Sequence, residues 1–144
     1  MQEDVLIKKY FYNLNYIVLC EMYLNEYLKP DAIEEKDLKK YNPGHLGTSL
    51  SLNFIQANLN YFLNKNKLTS KTVIGTGHAG VSLISNLWLN GILKDYYPKY
   101  SLDKNGLNNL IKDFGETIRS EINPEYPETI YDGGELGYSL GVAY

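Results

Sequence analysis

Apolar residues recur at helical spacing in four parts of the chain. Residues 7–27 carry such a pattern, which predicts one long amphipathic helix ending before Pro30. Residues 48–64 and 105–114 predict two further helices, and the mostly apolar residues 78–93 predict a deeply buried one. In the helix of residues 48–64, the residues that fall on one face are Leu52, Ile55, Leu59 and Phe62.

One strand stands out among these helices. Residues 71–75 form a short β-branched run that stops at glycine, and residues 116–132 are predicted to be an extended loop. The predicted fold class is therefore α/β, a helix-rich piece with four main helices and one clear strand. A strand without a partner leaves its backbone groups unpaired. The chain is thus predicted to be part of something larger, with exposed apolar surface where the remainder packs.

Composition narrows the function classes further. A length of 144 residues indicates one domain, and a net charge of -3 without a basic stripe gives no basis for binding nucleic acid. No run approaches the roughly 20 apolar residues of a membrane helix, and the N-terminus is unlike a signal peptide. The single cysteine, Cys20, excludes a disulfide or a cysteine metal site within the chain and is predicted to be inert core. The expected location is the cytoplasm.

The only two histidines, His45 and His78, each sit between glycines and just before a predicted helix. Histidine suits proton transfer near neutral pH, and flanking glycines let a ligand approach closely. Either histidine alone is also explained as a capping or turn residue. Because both occupy the same context, they are the candidate catalytic residues.

The sequence YDGGELGYSL near the C-terminus contains the second candidate element. A glycine pair before a helix is a weak phosphate-binding signal, and a loop that needs positive φ explains it equally well. Glu135 lies in the first turn of that helix, where an acid also stabilises the helix dipole. No metal-ligating residues are predicted.

Four segments in order carry a family resemblance: FYNLNYIVLCEMYL, NPGHLGTSLSLNFIQANLNYFL, TVIGTGHAGVSLISNLWLNG and NPEYPETIYDGGELGYSLGVAY. They resemble the N-terminal part of phosphoketolases, thiamine-diphosphate enzymes related to transketolase, from about residue 10 to residue 144. A transketolase N-terminal half is more distantly similar. The resemblance implies that residues 1–144 are the incomplete N-terminal portion of a thiamine-diphosphate-binding domain.

Phosphoketolases cleave xylulose 5-phosphate or fructose 6-phosphate with inorganic phosphate, giving acetyl phosphate and a shortened aldose phosphate. They use thiamine diphosphate held through Mg²⁺. The resemblance implies that His45 and His78 face the substrate and the thiazolium ring. It also implies that Gly134, Glu135 and Leu136 approach the diphosphate along their backbone. The Gly-Asp-Gly-Glu type segment that anchors Mg²⁺ in the family is expected beyond residue 144, so a complementing polypeptide or oligomer is the expected partner.

Three departures from the family pattern leave alternatives open. Glu121 stands where the family usually has histidine, Tyr131 stands where it has a second histidine, and GTGHAGVS replaces a richer Gly-Pro motif. One hypothesis is a phosphoketolase fragment or split part that is inactive alone. The others are a degenerate non-catalytic module that binds a partner or a sugar phosphate, and a transketolase-like N-terminal subunit.

Overall fold

The computed structural model describes residues 2–40, 46–70, 72–74, 79–114 and 129–131. Within these, the elements are the helices α1 (Gln2–Tyr23), α2 (Leu46–Asn66), α3 (Gly80–Leu89), α4 (Leu93–Tyr96) and α5 (Lys104–Asp113), and the strands β1 (Thr72–Ile74) and β2 (Thr129–Tyr131). Three short 3₁₀ turns occupy Pro30–Ala32, Glu35–Asp37 and Pro98–Tyr100. None of the described helices is long and apolar enough to cross a membrane.

The predicted α/β class with one clear strand is wrong, because helices dominate the described chain. The predicted strand has only three residues, and it has a partner. Thr72–Ile74 pairs in parallel with Thr129–Tyr131, which lies within the segment predicted to be a loop. Three residues of β-branched or aromatic character are too short a run for periodicity to distinguish a strand from a loop.

Helices α1, α2 and α3 pack against one another, and α1 also contacts α5. The larger of two apolar clusters contains residues of α1, α3, α4 and α5, including Ile17, Cys20, Leu83, Leu93 and Leu110. The prediction that the third helix is deeply buried is confirmed, since most α3 residues are buried. Helix α1 begins and ends earlier than predicted.

Local chemistry sets the bounds of the shorter helices. The Asp103 carboxylate caps α5 by accepting from the Gly106 backbone N–H at 2.9 Å. A side chain at Gly106 would place Cβ 1.8 Å from the Ser101 carbonyl oxygen, so only glycine fits this turn. At the end of α3, Gly91 adopts a φ of +74°, where glycine stops a helix without strain.

The face of α2 that packs against the rest of the chain is polar. Its buried residues are Ser49, Asn53, Gln56 and Ala57. On the opposite side, Ile55 is 58% exposed and Phe62 is 53% exposed, and Leu59 is also exposed. The apolar face that the sequence pattern identifies therefore points away from α1 and α3, and only Leu52 of that set packs against the core.

Amide and hydroxyl groups connect α2 to both neighbouring helices. The Asn53 amide donates to Asn15 Oδ1 of α1 at 2.8 Å, the Ser82 hydroxyl of α3 donates to Asn53 Oδ1, and Gln56 Nε2 donates to Ser82 Oγ at 2.7 Å. Burying such groups costs free energy unless each finds a partner. The hydrogen bonds thus fix which side of α2 faces the core.

A second group of hydrogen bonds continues this contact along the helices. Tyr10 OH donates to Asn86 Oδ1 at 2.5 Å, and Asn60 Nδ2 donates to the same oxygen at 2.9 Å. The Asn90 amide donates to Tyr10 OH at 2.9 Å. We call the two groups together the polar seam; its residues are Tyr10, Asn15, Asn53, Gln56, Asn60, Ser82, Asn86 and Asn90.

Removing the Asn53 side chain tests whether the polar seam holds α2 in place. We expect Asn53→Ala to lower the free energy of unfolding by about 1–3 kcal/mol, because the buried Ser82 hydroxyl and the half-buried Asn15 side chain each lose a partner. The exposed Asn58→Ala on the same helix is the matched control and should change it by less than about 0.5 kcal/mol. Urea unfolding of both variants measures the difference. Equal losses would show that the seam carries no special stability.

Candidate functional site

The residues that the sequence predicts for the site lie outside the described residues. These are His45, His78, Gly134, Glu135 and Leu136. The structure does describe the residues that lead into each segment. The placement of these neighbouring residues is described below, and the roles of the five residues stay predictions.

The strand pair places the residues that precede two of the three segments side by side. Ile74, at the end of β1, is the register partner of Tyr131, at the end of β2. Because the two strands are parallel, the chain leaves both at the same end. Gly75 to His78 follows the first strand and Gly133 to Leu136 follows soon after the second.

The starts of α2 and α3 meet at one small apolar cluster. It consists of Val18 and Met22 of α1, Val81 of α3 and Phe114, and Leu46 packs against it. Leu46 directly follows His45, and Val81 lies three residues after His78. Leu46 and Val81 thus share one small cluster, whereas Ala79, directly after His78, packs in the larger cluster.

A buried carboxyl group lies next to this cluster in sequence. Glu21 is 0% exposed, and its Oε1 accepts from the Ser85 hydroxyl of α3 at 2.5 Å. Its Oε2 has no hydrogen-bond partner within the described part of the chain. Burial raises the pKa of Glu21 to about 8, against the lowering effects of the Ser85 hydrogen bond and the Lys39 charge. Burial thus favours the protonated form of Glu21.

The Lys39 ammonium group joins three helix-terminal carbonyl groups. It donates to the Glu21 carbonyl oxygen at 2.6 Å, to Ile111 at 2.7 Å and to Phe114 at 2.8 Å. A cation is favourable there because helix C-termini carry partial negative charge. Lys39 thereby ties the end of α1 to the end of α5, where Phe114 belongs to the small cluster at the helix starts.

Cys20 is an inert core thiol, as the sequence predicts. It is 0% exposed, and burial raises its pKa to about 11, so the reactive thiolate is scarce. Among the described residues, no group of three or more His, Cys, Asp or Glu side chains could hold a metal ion.

Comparison with known proteins places the chain in a family. The family model of the XFP N-terminal domain matches residues 2–144, which is nearly the whole chain. This chain belongs to the phosphoketolase family and corresponds to its N-terminal part. The resemblance predicted from the four sequence segments is confirmed.

Three relatives illustrate the similarity to phosphoketolases. A probable phosphoketolase of Chlorobaculum tepidum is 36% identical over 96% of this chain and 18% of its own length. A probable phosphoketolase of Schizosaccharomyces pombe is 41% identical over 78% of this chain and 14% of its own. The xylulose-5-phosphate phosphoketolase of Lactiplantibacillus pentosus is 37% identical over 93% of this chain and 17% of its own. The chain spans less than a fifth of the length of these curated relatives.

Sequence reasoning overlooked Glu21 and Lys39. The one available signal was an acid inside the apolar run YIVLCEMYL, since an acid there is buried if the run is a packed helix. Nothing in the sequence indicated that Lys39 would reach carbonyl groups on two distant helices, because that contact depends on tertiary packing. Both residues position the helices that lead into the predicted site.

The pKa of Glu21 predicts a pH dependence of stability. Its folded pKa of about 8 lies above its ordinary value of 4.5, so the folded protein keeps a proton that the unfolded chain releases between these pH values. The free energy of unfolding should therefore fall as pH rises from 4.5 to 8, by roughly 2–4 kcal/mol from this group. Gln has the shape of a protonated Glu but does not titrate. Glu21→Gln should therefore abolish this decrease in the free energy of unfolding and be more stable than the wild type at pH 8.

Urea unfolding of both proteins between pH 4.5 and 8.5 measures this effect. Glu35→Gln, a change at an exposed acid, is the matched control and should keep the wild-type pH profile. If Glu21→Gln and the wild type lose stability in parallel as pH rises, the buried carboxyl group is not the cause.

Proposed function

We propose that this chain is the N-terminal part of a phosphoketolase that cleaves a ketose phosphate with inorganic phosphate to acetyl phosphate and an aldose phosphate. The observation that carries the proposal is the family match over residues 2–144, together with 37% identity to a relative named xylulose-5-phosphate phosphoketolase. Xylulose 5-phosphate is accordingly the first substrate to test. In this proposal the activity also needs the part of the enzyme that the relatives have beyond this region.

Thiamine diphosphate with Mg²⁺ is the proposed cofactor, because phosphoketolases depend on it. When bound, its thiazolium ring accepts the electron pair released by cleavage of the ketose. In the proposal, His45 and His78 hydrogen-bond the ketose hydroxyls and move protons, and the backbone of Gly134 to Leu136 lies against the cofactor. Two structural facts support the grouping of these segments: the Ile74–Tyr131 pairing and the shared cluster at Leu46 and Val81.

A chimera gives the direct test of activity. In it, this chain replaces the matched region of the Lactiplantibacillus pentosus enzyme, which is 17% of that protein. With thiamine diphosphate, Mg²⁺, phosphate and xylulose 5-phosphate, the chimera should form acetyl phosphate. His45→Asn and His78→Asn should each lower kcat by about 100-fold or more, since proton transfer by a positioned side chain contributes on that order. The exposed Asn58→Ala serves as the control and should retain activity.

An inactive chimera that is nevertheless folded would favour the degenerate non-catalytic module, the alternative that the departures at Glu121 and Tyr131 support. Equal activity of the two histidine variants and the parent would remove the histidines from the proposed mechanism. Circular dichroism and thiamine-diphosphate binding by calorimetry distinguish a folded inactive chimera from an unfolded one.

Replacing Glu121 tests the most consequential departure from the family pattern. An acid near the substrate would repel the sugar phosphate and the phosphate co-substrate. In the chimera, Glu121→His should therefore raise kcat/KM for xylulose 5-phosphate several-fold. Glu35→Gln removes a negative charge elsewhere and should have no such effect. If kcat/KM is unchanged or lower in Glu121→His, this position is outside the substrate path.

A further inference from the structure

The outward side of α2 is an apolar stripe with helical spacing. Ile55, Leu59 and Phe62 follow one another at intervals of four and three residues, and all three are exposed. Phe54 is also exposed and lies edge-on to Phe11 of α1, with ring centroids 5.8 Å apart. We call Ile55, Leu59 and Phe62 the α2 stripe.

Hydrogen bonds set the orientation of α2 and therefore the exposure of the stripe. Turning α2 by half a rotation would bury the stripe, but it would also remove Asn53 and Gln56 from Asn15 and Ser82. Buried amides without partners are strongly unfavourable. The polar seam therefore holds the stripe outward.

The α2 helix also lacks charge. From Leu46 to Asn64 it contains no Asp, Glu, Lys or Arg, and its first charged residue is Lys65. Depletion of charged residues with enrichment of aromatic ones marks the core of a protein interface. A helix that lies on a lipid surface usually carries Lys or Arg on its polar face, whereas the polar face of α2 is uncharged and buried within the fold. The stripe thus fits a protein surface better than a lipid surface.

We propose that the α2 stripe is the surface on which the rest of the phosphoketolase polypeptide packs. The length of the relatives identifies what covers the stripe. The matched region makes up only 14–18% of each relative, so in each of them it is joined to a much longer polypeptide. Tethering gives that polypeptide a high effective concentration at the stripe. This inference rests on the proposed function only in assigning the chain to a larger phosphoketolase, and it does not depend on catalysis.

Thiol labelling of Ile55→Cys, in the chain alone and in the chimera, tests the inference. In the chain alone the introduced thiol should react rapidly with a maleimide, because Ile55 is 58% exposed and the native Cys20 is buried. In the chimera it should react roughly tenfold or more slowly, since a covered thiol is inaccessible. Leu102→Cys, at a position 49% exposed in the bend before α5, should react rapidly in the chain alone and shows that labelling is efficient. Mass spectrometry of the labelled peptides distinguishes labelling at position 55 from labelling at the chimera's other cysteines.

A combined variant, Ile55→Ser with Leu59→Ser and Phe62→Ser, gives a second measurement. It should leave the melting temperature of the chain alone unchanged and lower that of the chimera by roughly 5 °C or more, because buried apolar contacts are lost only there. Val5→Ser with Ile33→Ser and Leu102→Ser changes three exposed apolar residues elsewhere and should leave the melting temperature of the chain alone unchanged as well.

The labelling and chromatography results distinguish the alternative partners of the α2 stripe. Rapid labelling of Ile55→Cys in both proteins overturns the inference. Slow labelling in the chain alone also overturns it: a monomer in size-exclusion chromatography would mean that another part of this chain covers the stripe, and a dimer would mean that a second copy does. An inactive chimera with a protected thiol supports the docking surface and contradicts only the proposed activity.

Discussion

The polar seam is the constraint on which the arrangement of the three central helices depends. Three helices that pack through apolar side chains alone can slide or rotate with modest loss, because the hydrophobic effect is non-directional. Hydrogen bonds between Asn53, Asn15 and Ser82 allow one relative rotation of α2. That rotation determines which residues of α2 lie at the surface and where its first turn, beside Leu46, enters the fold.

A single charged group makes the corresponding connection on the other side of α1. Lys39 lies outside the regular helices, yet its ammonium group binds carbonyl groups at the ends of α1 and α5. Backbone carbonyls at helix ends have no partner within the helix, so they need such a donor. The linker between α1 and α2 is held in the same place by an antiparallel bridge between Leu24 and Leu38. The linker and α5 are thus both fixed to the C-terminal end of α1.

The sequence predicted four of the helices and left the orientation of α2 open. Periodicity identified α2 because its apolar stripe is regular. Periodicity alone does not show which face is buried when the opposite face packs through hydrogen bonds. The buried face was determined by Asn and Gln side chains whose partners lie on other helices. Similarly, β1 was found from its β-branched residues, whereas its partner β2 lies in a proline-containing segment with no strand signal of its own. For the site, the family motifs located the histidines in sequence, and the strand register and the cluster around Val81 could come only from tertiary structure.

The parallel pair of strands also orders events during synthesis. All five described helices lie ahead of Thr129 in the chain, whereas Thr72 must wait for Thr129 to emerge from the ribosome before the two can pair. Contacts between residues far apart in sequence form late, because closing a long loop costs entropy. The described helices are therefore free to assemble on the nascent chain before β1 and β2 pair.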